Sequence, residues 1–141
     1  MANILTNIGE EWLVENNVNG ATIIASVFNN GTDNVSDATD ISGITTEPGG
    51  TFARQSTTVT TQQISGDFGF ATDALLEFDV SNSTQVVDHG LFIVSFQSDT
   101  VAGDTGATNH LIGVDALSQS RDTSQFDTLK IAAGDLGLTL S

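Results

Sequence analysis

The clearest strand signal in the chain is the segment ALLEFDV at positions 74–80. Its apolar residues Leu76, Phe78 and Val80 alternate with two acidic residues. Because successive side chains of a strand point to opposite faces of a sheet, this period of two predicts a half-buried strand. The sheet should therefore cover an apolar core with one face and meet solvent with the other.

Similar signals recur along the chain between turn-forming residues, with no second helical pattern after the N-terminus. The spacing of the strands predicts an all-β fold, an antiparallel β-sandwich of jelly-roll type. Segment 90–97 is apolar on both faces, as expected for a central strand, and 109–117 reads as a shorter strand. The other predicted strands cover residues 21–28, 52–63, 128–132 and 136–140.

One segment, from about residue 7 to 17, predicts a short N-terminal helix. Asn7 can act as its N-cap, and Glu10 stands three residues on, which is the spacing of a capping box. Ile8 and Trp12 are one helical turn apart. We expect Trp12, the single tryptophan, to anchor this helix on the strands that follow.

The length and the composition exclude several classes of protein. A chain of 141 residues fits one domain, residues 1–141. It has no cysteine, which excludes disulfides and thiolate metal sites. Only Arg54, Arg121 and Lys130 are basic, so nucleic acid is not an expected partner. The apolar stretches are too short to span a bilayer, so no membrane contact is expected either.

The charge is strongly acidic, with 18 Asp and Glu against 3 Lys and Arg and a net charge of −15. The acidic residues are dispersed along the chain. Such a surface repels itself until molar salt shortens the Debye length to about 3 Å. This lysine-poor pattern favours a protein from a high-salt environment. The N-terminus lacks the basic start of a signal peptide, so we expect synthesis in the cytoplasm.

The sequence contains no motif of a known catalytic or cofactor site. His89 and His110 have no nearby partner at a metal-binding spacing, and both are expected near the surface in loops or at strand ends. A serine nucleophile elbow and phosphate-binding glycine loops are absent. We therefore predict no catalytic residues, no cofactor-binding residues and no enzymatic activity.

Calcium is the one ligand for which the sequence offers candidate residues, because calcium binds carboxylate oxygens and two loops contain several aspartates. Two polar loops, 29–43 and 98–108, supply them, but neither has the spacing of an EF-hand. Solvated acidic turns are the preferred interpretation, with calcium or other cations as the alternative. The weak metal candidates are Asp33, Asp37, Asp40, Asp99 and Asp104.

Three segments occur in this order: ILTN at 4–7 leading into an acidic helix, EPGGTFARQ at 47–55, and FDTLKIAAGDLGLTL at 126–140. Together they resemble a family of small structural proteins of tailed viruses. Family members open with a Leu-Thr-Asn helix, carry a Glu-x-x-Gly-x-Tyr-Ala-Arg segment, and end on a hairpin with the pattern Gly-Asp-x-Leu followed by Ala-Gly-x-Leu. This chain departs from the pattern at Phe52, which replaces the tyrosine, and at Phe126, which replaces a glycine.

The resemblance, with the acidic composition, implies a haloarchaeal tailed virus and a virion location. The expected role is a capsid decoration or turret protein on the head surface, which stabilises the particle or displays a host-facing surface. The expected partners are further copies of the chain, as a homo-oligomer, and the major capsid protein or other virion proteins. A tail fibre or baseplate-associated adhesin is the first alternative, and a carbohydrate-binding module is the second.

Arg54 lies in the second of these segments and is one of three basic residues in a chain of net charge −15. We expect it to pair with a carboxylate and to fix the start of its strand. Glu47, seven residues earlier, is a candidate partner.

Overall fold

The computed structural model describes residues 6–18, 22–94 and 109–140. Within these ranges the chain forms two α-helices and eight strands. Two single 3₁₀ turns, Ile41–Gly43 and Thr123–Gln125, lie between them. The helices and strands are α1 (Asn7–Val18), β1 (Thr22–Phe28), α2 (Asn30–Asp33), β2 (Gln55–Ile64), β3 (Asp67–Thr72), β4 (Leu76–Asp79), β5 (Val86–Val94), β6 (His110–Asp122), β7 (Thr128–Ile131) and β8 (Gly137–Leu140).

Helix α1 lies where the sequence predicts it, but its contacts differ from the prediction. The hydroxyl of Thr6, rather than Asn7, caps it by accepting the Gly9 N–H at 3.2 Å. The helix packs on β2 and β3 and contacts the core through Val14 and Val18. Trp12 is 64% exposed, so its prediction as an anchor is wrong. It points away because the valine face is the one turned to the sheet.

The side chain of Glu10, to which the capping-box prediction refers, is outside the part of the chain that the structure describes. Among the described residues, neither helix is long and apolar enough to cross a membrane.

The strands form a six-stranded antiparallel sheet in the order β6-β5-β1-β2-β3-β8 and a separate antiparallel pair, β4-β7. The predicted antiparallel β architecture with a short N-terminal helix is confirmed. The six-stranded sheet curves until its edge strands β6 and β8 meet. There the Gly137 N–H donates to Asp115 Oδ2 at 2.9 Å, and Leu138 lies against Gly113. The sheet is therefore nearly closed.

The main core lies between the inner face of this sheet and the β4-β7 pair. Leu76, Phe78 and Val80 are buried, as their alternation predicts. The rings of Phe70 and Phe92 meet edge to face, with centroids 5.3 Å apart. The other buried members of this cluster are Ile23, Ala25, Val27, Val59, Val87, Leu129, Ile131 and Leu136.

A second, smaller core lies on the opposite face of β1 and β5. Phe28, Leu91 and Ile93 are fully buried there, under the segment that joins β1 to β2. This confirms that residues 90–94 form a central strand covered on both faces. Residues 95–97 of the same prediction lie outside the described residues.

The prediction missed strand β3 and shortened strand β6. β2 turns into β3 through Ser65 and Gly66, which both have positive φ, 51° and 89°. This is the backbone of a tight two-residue hairpin. Gly69 and Gly137 lie in β3 and β8 where the two strands pair, and the pattern around them lacks clear alternation. β6 runs for 13 residues because its polar second half still pairs with β5.

Candidate functional site

The three predicted metal candidates that the structure describes, Asp33, Asp37 and Asp40, do not form a cluster that could hold a metal ion. Asp33 and Asp40 each bind groups of their own loop, and Asp37 is exposed. Asp99 and Asp104 lie outside the described residues. Within the described ranges, no three carboxylates or histidines come close enough to hold a metal ion.

Asp33 has a structural role. Its carboxylate accepts the backbone N–H groups of Thr45 and Thr46 at 3.0 and 3.2 Å. It also accepts both threonine hydroxyls, at 2.6 and 2.7 Å. Burial raises the pKa of Asp33, but these hydrogen bonds outweigh it and leave the pKa below its ordinary value of 3.8. The carboxylate oxygens are therefore committed to closing the loop.

Asp40 acts as an N-cap for the first 3₁₀ turn. Its carboxylate accepts the Ser42 N–H at 3.0 Å and the Ser42 hydroxyl. Mainly because of the hydroxyl, the pKa of Asp40 is lowered. Asp33 and Asp40 therefore have hydrogen-bond partners within their loop, whereas Asp37 is exposed.

The two histidines, predicted in loops or at strand ends near the surface, differ in position and burial. His89 lies within β5, half buried, with Nδ1 3.0 Å from Asp88 Oδ1. His110 begins β6 and is 2% exposed, so the prediction of a surface position is wrong for it. Strand β6 places His110 opposite Val94, at the end of the central strand. Asp88 also accepts the N–H groups of Asn30 and Gly31 and so holds α2 against β5.

Glu47 joins β1 to the residues that lead into β2 through a partly buried polar cluster. It forms a bidentate pair with Arg54, with Nη2–Oε1 at 2.6 Å and Nε–Oε2 at 2.9 Å. The fully buried hydroxyl of Ser26 in β1 donates to the same carboxylate. The predicted pairing of Arg54 with Glu47 is confirmed. Ser26 was missed because nothing in a strand sequence shows which loop covers its face.

Two large apolar side chains are exposed on α1. Ile8 and Trp12 are 79% and 64% exposed, and Glu11 and Glu15 are exposed beside them. These four residues have the spacing i, i+3, i+4 and i+7, so they form one face of the helix. We call this face the α1 stripe. Exposed tryptophan and isoleucine side chains one turn apart are typical of a surface that binds another molecule.

A second surface feature is a cleft of about 330 Å³ beside β6 and β7. It lies over Leu129 and Ile131 of the buried core, and Leu117, Arg121 and Lys130 line it as well. We call it the β6–β7 cleft. Its remaining lining residues are Asp115, Ala116, Ser118 and Asp135.

Comparisons with known protein families, with curated protein sequences and with solved structures found no significant match to this chain.

Proposed function

We propose that this chain is a non-enzymatic structural protein of a virus particle. In this proposal it is a capsid decoration or turret protein on the head surface of a halophilic tailed virus. It is made in the host cytoplasm and acts as a homo-oligomer bound to the major capsid protein or other virion proteins. Its role is to stabilise the particle or to display a host-facing surface.

The observation that carries the proposal is the α1 stripe. Trp12 is the single tryptophan of the chain, and most of its surface is exposed rather than buried in the core. Leaving Ile8 and Trp12 in water forgoes about 1.5–3 kcal/mol of burial for each side chain. A partner that covers the stripe recovers that free energy, which suits a protein that works in an assembly.

The net charge of the chain is the second observation that supports the proposal. A net charge of −15 on 141 residues opposes contact between copies unless salt screens it. Assembly through the α1 stripe is therefore expected to need high salt. Stability should respond in the same direction, and the melting temperature should rise between about 0.1 M and about 3 M salt. A melting temperature that stays constant would remove the halophilic part of the proposal.

The resemblance of the three segments to tailed-virus structural proteins supports the location on the particle. The strand order β6-β5-β1-β2-β3-β8 defines an antiparallel, nearly closed sheet. The proposal adds to this architecture that the fold is of jelly-roll type.

The test is the copy number of the chain in purified particles, measured by quantitative mass spectrometry against the major capsid protein. One copy per capsid subunit, or a simple fraction of that ratio, is the expected result. A few copies per particle would instead support a tail fibre or baseplate-associated adhesin. Absence from particles would overturn the virion role, and glycan binding by the monomer would then support a carbohydrate-binding module.

A further inference from the structure

We propose that a cavity between helix α1 and one end of the six-stranded sheet is a binding site for a small, uncharged, apolar molecule. The cavity has a volume of about 530 Å³, and its lining residues come from α1 and from five strands. We call it the α1 cavity. The inference goes beyond the proposed function and does not rest on it, so a chain absent from virus particles should still bind such a molecule.

The strand directions explain why the cavity lies at this end of the sheet. The sheet is antiparallel, so β1 and β6 begin where β5 and β8 end. Because the edge strands β6 and β8 meet, the inner face of the sheet encloses a space that opens at its ends. Helix α1 packs beside this end and lines the opening with Val14 and Val18. The mouths of closed sheets are frequent positions for small-molecule sites.

The lining of the α1 cavity is mostly apolar. Phe70 is buried, but the other large apolar side chains are only half buried, and they are Val14, Val18, Val94, Ile112, Leu138 and Leu140. All of these except Leu140 pack against the main core or belong to it, so the cavity continues the core outward. An apolar molecule placed there would remove their remaining surface from water, which is favourable in proportion to the area covered.

The charges around the cavity select an uncharged ligand. Among the described residues that line it, none is Asp, Glu, Lys, Arg or His. The β6–β7 cleft differs in this respect, because Asp115, Arg121, Lys130 and Asp135 all line it. An ion in the α1 cavity would lose hydration without gaining a counter-charge. An anion would in addition be repelled by the net charge of −15.

The polar lining residues suit at most one neutral polar group on the ligand. Asn17, Thr22 and Thr139 are exposed, so they lie at the outer edge of the cavity rather than in its interior. Their amide and hydroxyl groups can form hydrogen bonds with a hydroxyl or a carbonyl group, but they cannot neutralise a charge. The ligand is therefore apolar along its length, with any polar group at the end that faces solvent.

The volume excludes a larger partner. A helix with a diameter of 10–12 Å occupies about 400–600 Å³ per turn, so the α1 cavity holds about one turn, which is too little for a helical peptide to bind. The volume falls within the range of about 300–1,000 Å³ that is typical of small-ligand sites. We expect a ligand of about ten to twenty non-hydrogen atoms, such as a medium-chain alcohol or ketone, with a Kd of about 1–10 μM.

The main test uses wild-type protein and N-phenylnaphthylamine, an uncharged apolar probe whose fluorescence rises when it leaves water. Decanol should displace the probe. Decanoate at about pH 8, where its carboxylate is ionised, should compete at least about tenfold more weakly, and so should decylammonium. The titrations are made in about 3 M salt, which screens the general attraction of a cation to an acidic protein. Absence of probe binding, or equal competition by the three compounds, would overturn the inference.

The location of the site is tested by filling the cavity. The double variant V18F/I112F enlarges two half-buried lining side chains and should weaken probe binding by about tenfold or more. I24F/V35F is the matched control, because it makes the same two changes at half-buried side chains that pack against the second core. It should bind the probe as wild type does. Circular dichroism checks that both variants fold, and the wild-type competition series decides the inference if either does not.

The α1 stripe is the other exposed apolar surface to which the probe could bind. The variant I8A/W12A removes both apolar side chains of the stripe and none that line the α1 cavity, so it should leave probe binding unchanged. Loss of binding in I8A/W12A, together with full binding in V18F/I112F, would place the probe on the stripe and overturn the inference.

Discussion

Two regions of the molecule place polar and apolar side chains in opposite ways. In the segment between β1 and β2, the carboxylates of Asp33 and Glu47 turn inward and bind backbone and side-chain donors. In α1, Ile8 and Trp12 turn outward into solvent. The first arrangement contributes to the stability of the monomer, and the second does not. The comparison separates the residues that fold this chain from those available to bind other molecules.

The largest effect is expected from Glu47→Ala. The change removes the partner of Arg54 and the acceptor of the fully buried Ser26 hydroxyl at once. Loss of the acceptor of a buried hydroxyl accounts for most of the effect, and loss of the partner of the partly exposed Arg54 guanidinium adds less, so the free energy of unfolding should fall by about 3 kcal/mol. Urea denaturation measures the loss.

Glu77→Ala is the control for this change, because Glu77 also faces a basic residue but in an exposed pair. Its cost should stay within about 0.5 kcal/mol. Equal losses for the two variants would mean that the cluster around Glu47 is no more stabilising than a surface ion pair.

The next effect is expected from Asp33→Ala. The carboxylate closes the loop over the second core by accepting four hydrogen bonds from Thr45 and Thr46. Their loss should cost about 2 kcal/mol. Asp37→Ala, in the same loop and exposed, should change the free energy of unfolding by less than about 0.5 kcal/mol. Equal free energies of unfolding for the two variants would show that the Asp33 carboxylate does not hold the loop closed.

A smaller effect is expected from pH at the same residue. The pKa of Asp33 is lowered in the folded protein, so its charged form stabilises the fold above the ordinary value of 3.8. That contribution is lost as pH falls through the lower, folded value. The stability gap between wild type and Asp33→Asn should therefore be full near pH 6 and shrink toward pH 3. A gap that widens in acid would contradict the lowered pKa.

Much of the fold could be predicted from the sequence, since alternation at Leu76, Phe78 and Val80 reports burial directly. The pairing of Arg54 with Glu47 could be predicted because a basic residue is rare in this chain and a carboxylate stands nearby. Strand β3 could not, because glycine at the β3–β8 pairing interrupts its pattern.

The surfaces were harder to predict than the core. A tryptophan in a helix is buried more often than not, and only the packing of Val14 and Val18 on the sheet shows that Trp12 faces away. Likewise, Arg121 and Lys130 lie in different strands, β6 and β7. They line the same cleft because these two strands approach each other in the folded chain. Such surfaces depend on tertiary contacts that no local pattern records.

The smallest effect on the stability of the monomer is expected from Trp12→Ala. This variant tests whether the exposed face of α1 is independent of the fold. At low salt and low protein concentration, the free energy of unfolding should change by less than about 0.5 kcal/mol, because an exposed side chain has little packing to lose. Val14→Ala, two residues on and packed against the core, should cost about 1 kcal/mol. If Trp12→Ala costs as much as Val14→Ala, the tryptophan packs inward in solution. The α1 stripe would then be part of the fold, and the assembly role would lose its main support.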